Sequence, residues 1–159
     1  MLILKTEGFA ELDQQLTELV RDVQSPGEFK QFKKILSMST RRALQPLEQD
    51  MKAMAPYDGQ HNTSGIHLRD TTRIDTRIPT VQDKRSIMVN ESDAYIGILS
   101  VKKSAVSLSQ EFGNARTTAQ PYLRITAANG FEKATQVLKA ELSQRIPEYM
   151  AKILKGRSK

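Results

Sequence analysis

Residues 111–124 read EFGNARTTAQPYLR, and this polar stretch joins two apolar segments of different periodicity. The acid, the aromatic and the glycine at its start end a segment that alternates apolar and polar residues, which is typical of a strand. Glycine followed by asparagine permits a sharp turn, and Pro121 suits the first turn of a helix because its φ is fixed near the helical value. We therefore predict a strand that ends at residue 112, a loop over residues 113–120, and a helix that begins at Pro121.

The segment after this stretch repeats apolar residues at helical spacing. The repeat consists of Leu123, Ala127, Phe131, Ala134, Leu138, Leu142, Ile146, Met150 and Ile153. Such a continuous ridge predicts one long helix that buries a single face. Gly130 should weaken this helix slightly, Pro147 should bend it, and residues 155–159 are expected to fray.

Two further helices are predicted in the first third of the chain. In residues 9–23 the apolar side chains fall three or four positions apart and form one stripe. Residues 25–28, SPGE, supply a capping serine, a proline for the first helical position and a glutamate three residues after the serine. The second helix should end near Ala55, since Pro56 disfavours helical geometry in the residue before it. Pro46 predicts a kink or a break inside it.

Four short segments with strand character follow a run of turn formers. They are residues 68–78, 86–89, 95–101 and 105–112. The order helix, helix, sheet, helix predicts an α+β fold in which a short antiparallel meander of about four strands packs against long helices. A chain of 159 residues with 38% apolar residues is of a size for one core, so we expect one domain over residues 1–159.

Composition and charge limit the function. The chain has no cysteine, which excludes disulfides, thiolate metal sites and cysteine nucleophiles. Five acids and two cations give residues 1–25 a formal charge of −3, whereas eight cations and three acids give residues 122–159 a charge of +5. The overall charge of +6 favours an acidic partner, either a nucleic acid or an acidic protein surface. The alternative is that the cations are ordinary solvated groups on the surface. The first apolar run is too short for a signal peptide and no later run is long enough to span a membrane, so we expect a soluble protein that is not exported.

The sequence contains no recognisable catalytic or metal-binding motif. His61 and His67 are the only histidines, and they lie six residues apart in a predicted loop without cysteines. The acids nearby alternate with arginines, which is typical of a solvated charged surface rather than of a metal cage. Phosphate-binding loops, nucleophile elbows and metalloprotease helices are missing as well. We therefore expect no cofactor, no metal and no enzymatic activity.

Arg69, Arg73 and Arg77 lie on one face of the predicted strand over residues 68–78. A row of arginines with this spacing is a candidate contact for phosphates or for an acidic partner. The alternative is that these arginines keep the sheet soluble and block pairing at its edge. Aromatic residues, which stack on bases in many single-strand binders, do not alternate with them. A nucleic-acid-binding module is therefore the alternative function, and nucleic acid is the less favoured partner.

Two motifs at a characteristic distance resemble a known family. The first is Glu111-Phe112-Gly113, a loop, and then Gln120-Pro121-Tyr122-Leu123-Arg124. The second lies upstream, where Met54-Ala55-Pro56 is followed by Ser64-Gly65 and Leu68-Arg69. Together they resemble the phage tail-component family of head-tail joining, or tail completion, proteins of long-tailed phages and prophages.

The resemblance implies a structural virion protein rather than an enzyme. It implies a ring of six copies at the neck or upper tail, which joins the head connector to the tail tube. The implied partners are other copies of the chain and the connector and tube proteins, with no role for a membrane. The implied location is the virion neck and, during assembly, the cytoplasm of the host bacterium.

A ring of identical subunits needs two different surface patches that meet, and we expect the loop over residues 113–120 and the sheet edge to provide one of them. The candidate interface residues are Glu111, Phe112, Gly113, Asn114, Arg116 and Arg124. Glu111 is expected to pair with Arg116 or Arg124, within or between chains. Alternatively, Glu111 is an ordinary acid near a helix N-terminus.

Phe112 and Tyr122 have a simpler interpretation as core residues at the strand-to-helix junction. With Leu123, they are expected to tie the two ends of the loop together by apolar burial. The loop between them would then stay available to a neighbouring molecule.

Overall fold

The computed structural model of the protein describes residues 26–57, 65–85 and 95–157. Along these residues the chain forms α1 (Pro26–Met54), a 3₁₀ turn (Leu68–Thr71), β1 (Thr72–Arg77), α2 (Val81–Lys84), β2 (Ile96–Val101), α3 (Ala105–Phe112) and α4 (Leu123–Arg157). Helices and an antiparallel sheet in one chain confirm the α+β class. The helix predicted over residues 9–23 and the strand predicted over residues 86–89 lie outside the described residues.

The two long helices pack against each other in opposite directions. The start of α1 meets the end of α4 in a cluster of buried side chains, which contains Phe32, Leu142, Ile146, Tyr149 and Ile153. At the other end of the pair, Met51 of α1 and Ala55, which follows α1, meet Tyr122, which precedes α4. Arg42 adds an ion pair with Glu141 between the helices, with 3.0 Å between Nη1 and Oε1. The predicted apolar ridge of α4 therefore faces α1 and supplies Ala134, Leu142, Ile146 and Ile153 to the core.

Gly130 contributes to this packing through its lack of a side chain. A Cβ atom at this position would lie 2.8 Å from Cγ of Leu47, which is closer than carbon atoms approach in proteins. Gly130 lowers the intrinsic stability of the helix, as the sequence predicts, but it also allows α1 and α4 to approach each other closely.

Both long helices continue through their internal prolines. α1 is helical across Pro46 and ends at Met54, so the helix is not broken at that proline, the alternative of a kink there stays a prediction, and the expected end is confirmed. α4 is helical across Pro147 and extends to Arg157, so residues 155–157 of the expected frayed tail are helical instead. Burial of the opposite face in the helix pair holds both segments in the helical state, since tertiary packing outweighs a local propensity.

The sheet has two strands in the described residues and not the four that were predicted. β1 and β2 are antiparallel, with Thr72 opposite Val101 and Arg77 opposite Ile96. One face lies on α1, where Ile74 and Leu99 pack against the buried cluster around Leu47. On this face the hydroxyl groups of Ser37 and Thr76 are also hydrogen bonded, at 2.7 Å.

The strand predicted over residues 105–112 is wrong, because this segment forms helix α3. Ser104 and Ser107 build a capping box: the Ser104 hydroxyl accepts from the Ser107 N–H at 3.0 Å, and the Ser107 hydroxyl accepts from the Ser104 N–H at 2.8 Å. This box satisfies backbone donors at the helix start and outweighs the alternating pattern. The first predicted strand also begins later than expected, since residues 68–71 form the 3₁₀ turn.

In the described part of the chain, no helix is both long enough and apolar enough to cross a bilayer.

Candidate functional site

The candidate site is the segment over residues 104–124, named here the α3–α4 corner. Its first element, α3, has an inverted distribution of polarity. The residues that α3 buries are Ser107 and Glu111, which are 4% and 6% exposed. Its large apolar side chains are exposed instead, with 60% of Val106, 43% of Leu108 and 63% of Phe112 accessible. Apolar residues on an isolated helix face normally cover a core, so α3 presents to solvent the side that a surface helix usually buries.

Glu111 joins α3 to the start of α4. Its Oε2 atom accepts hydrogen bonds from the backbone N–H groups of Tyr122 and Leu123 at 3.1 and 3.0 Å. Its Oε1 atom accepts from the Arg124 N–H at 3.1 Å and from Arg124 Nε at 2.9 Å. The first turn of a helix has N–H groups without partners inside the helix. Glu111 therefore caps α4 from a position eleven to thirteen residues earlier in the chain.

The pKa of Glu111 reflects two opposing effects. Burial favours the neutral acid and acts to raise the pKa. The hydrogen bonds from the N–H of Leu123, from Arg124 and from the N–H of Tyr122 favour the carboxylate, and they outweigh burial, so the pKa lies below its ordinary value. Glu111 is therefore a charged, buried and structurally engaged group.

The predicted pairing of Glu111 with Arg124 occurs within the chain. In addition to the side-chain contact, Arg124 Nη2 donates to the backbone carbonyl of Glu111 at 2.8 Å. The outer side of the Arg124 guanidinium also lies over Phe112, with 5.0 Å between Cζ and the ring centroid. Arg116 is exposed in the loop. A role of these residues between chains stays a prediction.

Gly113 and Asn114 make the turn that the sequence predicts, after a helix rather than after a strand. Gly113 has φ 76° and ψ 170°, a conformation that is essentially restricted to glycine. The Asn114 side chain accepts from the N–H groups of Arg116 and Thr117 at 2.8 and 2.9 Å. The Gln120 N–H donates to the carbonyl of Gln110 at 2.7 Å, which closes the loop onto α3. The loop therefore has a defined hydrogen-bonded shape.

The two aromatic residues of the α3–α4 corner lie in opposite environments. Tyr122 is 1% exposed and packs with Met51 and Ala55, as its interpretation as a core residue requires. Burial and the nearby Glu111 charge raise the pKa of Tyr122 to about 12. Phe112 is exposed, so the expectation that it ties the loop ends together by burial is wrong. The hydrogen bonds of Glu111 hold the ends together instead.

The structure does not arrange Arg69, Arg73 and Arg77 as a uniform row. Arg69 lies in the 3₁₀ turn, with Cζ 3.6 Å from the ring centroid of Tyr57. Arg77 contacts two carboxylates, those of Asp75 at 2.6 Å and Asp83 at 2.9 Å. Hydrogen bonds from Arg77 and from Thr80 hold the pKa of Asp83 well below its ordinary value.

Arg73 is exposed on the outer face of β1. Of the three arginines, it is therefore the one whose environment best matches the predicted contact with an anionic partner.

The described residues hold no group of three or more histidine, cysteine, aspartate or glutamate side chains positioned to bind a metal ion. The His67 ring lies against Tyr57, with 4.3 Å between the ring centroids. His61 lies outside the described residues.

Comparisons with known proteins give no relative for this chain. No protein-family model matches it, and neither a curated protein nor a solved structure is significantly similar to it.

Four of the candidate residues predicted from the sequence make contacts that shape the α3–α4 corner: Glu111, Gly113, Asn114 and Arg124. The sequence did not indicate that Val106 and Leu108 are exposed. The available signal was the pair of serines three residues apart at positions 104 and 107, which favours a helix and changes which side chains share a face.

Proposed function

We propose that this protein is a non-enzymatic assembly protein that uses the α3–α4 corner to contact other protein subunits. The observation that carries this proposal is the inverted polarity of α3, whose buried residues are polar and whose large apolar residues are exposed. Neighbouring exposed apolar side chains on one face of a hydrogen-bonded element, such as Leu108 and Phe112, fit a protein–protein contact surface. The capped corner supports such a role, because a pre-organised surface loses little conformational freedom on binding.

The two sequence motifs indicate which kind of assembly the protein belongs to. On their resemblance to head-tail joining proteins, we propose that the chain forms a ring, six-fold in symmetry, at the neck or upper tail of a long-tailed phage. There it would join the head connector to the tail tube. The resemblance includes Glu111 and Arg124, and their contacts are those that give the α3–α4 corner its shape.

The test is to produce particles without this protein and to image them by electron microscopy. Filled heads and separate tails that fail to join are the expected result. Complementation with the Phe112→Asp chain should fail, whereas the control Val81→Asp, at a residue that is 71% exposed on α2, should restore joining. Intact, infectious particles in the absence of the protein would remove the proposed function.

The nucleic-acid-binding alternative makes a different prediction. Submicromolar binding to duplex DNA at physiological salt, with a steep salt dependence that Arg73→Ala reduces, would favour it. The geometry gives this alternative less support, because Arg77 already contacts two carboxylates and Arg69 stacks on Tyr57.

A further inference from the structure

The exposed surface of the α3–α4 corner combines an apolar centre with cationic flanks. Leu108 and Phe112 are four residues apart, so their side chains follow each other along one face of α3. Four exposed cations flank this face along the chain: Lys102, Lys103, Arg116 and Arg124. The only carboxylate between residues 102 and 124 belongs to Glu111, which is buried and paired with Arg124. Residues 102–124 therefore carry positive charge without an exposed acid among them.

A surface of this kind selects a partner by two complementary properties. The partner needs an apolar stripe to cover Leu108 and Phe112, as when an amphipathic helix binds an apolar surface. It also needs negative charge, since four cations with one engaged carboxylate repel a basic partner and attract an acidic one. An amphipathic segment with a net negative charge meets both requirements.

The chain itself contains one segment that meets both requirements. Residues 9–23, which precede the described part of the structure, have apolar residues at the spacing that predicts an apolar stripe: Phe9, Leu12, Leu16, Leu19, Val20 and Val23. The same segment contains four acids, Glu11, Asp13, Glu18 and Asp22, against one cation, Arg21. It is the acidic part of a chain whose net charge is otherwise positive.

We propose that residues 9–23 of one copy bind the α3–α4 corner of a second copy. The contact joins two different patches, so each copy offers one patch to the neighbour on each side, and repetition of the contact gives a ring or an open chain. The inference rests on the proposed function in one respect, namely that copies of this chain assemble with each other.

The deciding experiment mixes two full-length variants that each lack one side of the contact. The Leu108→Asp/Phe112→Asp chain loses the corner patch, and the Leu16→Asp/Val20→Asp chain loses the apolar stripe. Sedimentation velocity over a concentration series should show that wild type forms higher oligomers. Each variant alone should associate at least about tenfold more weakly than wild type. An equimolar mixture should form one-to-one dimers and nothing larger, since each dimer retains a single intact contact.

Charge reversal tests the electrostatic half of the proposal without removing apolar groups. The Lys102→Glu/Lys103→Glu/Arg116→Glu chain retains Arg124 and therefore the contacts of Glu111. It should associate more weakly than wild type, as should a Glu11→Lys/Glu18→Lys/Asp22→Lys chain. A chain with both sets should regain association, because the charges are again complementary. Val81→Asp is the control for an exposed apolar residue outside the corner, and circular dichroism checks that each variant folds.

Three results would overturn the inference. The first is a wild-type chain that stays monomeric up to about 1 mM at low salt. The second is wild-type association that the corner substitutions leave unchanged. The third is a mixture of the two folded variants that gives no dimer. Failure of this test and failure of the neck assignment are distinguishable, since the particle experiment measures head-tail joining and the mixing experiment measures self-association.

Discussion

The helix pair and the α3–α4 corner follow opposite rules of burial. Where α1 packs on α4, apolar side chains such as Leu47 and Ile146 are 1% and 2% exposed, and hydrophobic burial holds the elements together. In the corner, a carboxylate is buried and a phenylalanine is exposed, and hydrogen bonds to Glu111 hold the elements together. The difference shows that apolar burial stabilises one part of the molecule, while hydrogen bonds fix the shape of the other and leave its large apolar side chains exposed.

The largest expected effect comes from the same substitution made in both regions. Leu47→Ala removes a fully buried side chain from the helix pair and should lower the free energy of unfolding by about 3 to 4 kcal/mol. Leu108→Ala in the corner should lower it by less than about 1 kcal/mol, because that side chain is already partly in water. Urea denaturation of both variants measures the two values, and equal losses would contradict the distinction between the regions.

The next effect concerns the cap that Glu111 provides. Glu111→Gln keeps the shape of the side chain and removes the charge, which leaves the first N–H groups of α4 with a weaker acceptor. We expect a loss of about 2 to 3 kcal/mol, between the values for a lost helix cap and for a broken buried ion pair. Hydrogen exchange at the amides of residues 122–124 should accelerate as well.

Glu148→Gln is the matched control for the cap, since Glu148 is an exposed glutamate on α4. Its effect should stay within about 0.5 kcal/mol. If both substitutions have the same effect, then Glu111 does not fix the corner as the hydrogen bonds indicate.

Gly113 tests the turn that separates α3 from the loop. Gly113→Ala places a Cβ in a conformation that is nearly exclusive to glycine, 3.1 Å from the backbone nitrogen of Ala119. The expected loss is about 1 to 2 kcal/mol. Gly156→Ala, where a Cβ meets no atom within 4 Å, should leave the stability unchanged or slightly higher. A neutral Gly113→Ala would show that the turn relaxes readily.

Some of this arrangement could be predicted from the sequence and some could not. The long helices and their buried stripes followed from apolar spacing, because a 3.6-residue period repeated over many turns has one structural solution. The identity of α3 did not follow, because the eight residues AVSLSQEF place Val106, Leu108 and Phe112 at even positions, which fits a strand as well as a short helix. Two sets of interactions stabilise the helix: the serine capping box, and the hydrogen bonds that the Glu111 carboxylate accepts from the N–H groups of residues 122–124. The second set depends on tertiary structure.

The pH dependence should distinguish the two regions again. The pKa of Glu111 is lowered in the folded protein, so the carboxylate stabilises the fold above its ordinary pKa of 4.5. This stabilisation decreases as the pH falls from 4.5 through the lower folded value, where the carboxylate takes up a proton. The stability difference between wild type and Glu111→Gln should therefore be constant near neutral pH and shrink below pH 4.5. A difference that grows on acidification would have the wrong sign.

Phe112→Ser should have the smallest effect on folding and a large effect on association, and this contrast is the sharpest form of the comparison. The Phe112 ring is 63% exposed and contacts the guanidinium of Arg124, so its loss should change the free energy of unfolding by no more than about 0.5 kcal/mol. Folding does not require an exposed phenylalanine at this position, whereas the proposed contact with a second subunit does. Thermal denaturation and sedimentation of the same variant measure both properties. A variant that loses stability and retains wild-type association would show that Phe112 stabilises the fold, as the side chains between α1 and α4 do. It would contradict the proposal that Phe112 contacts a second subunit.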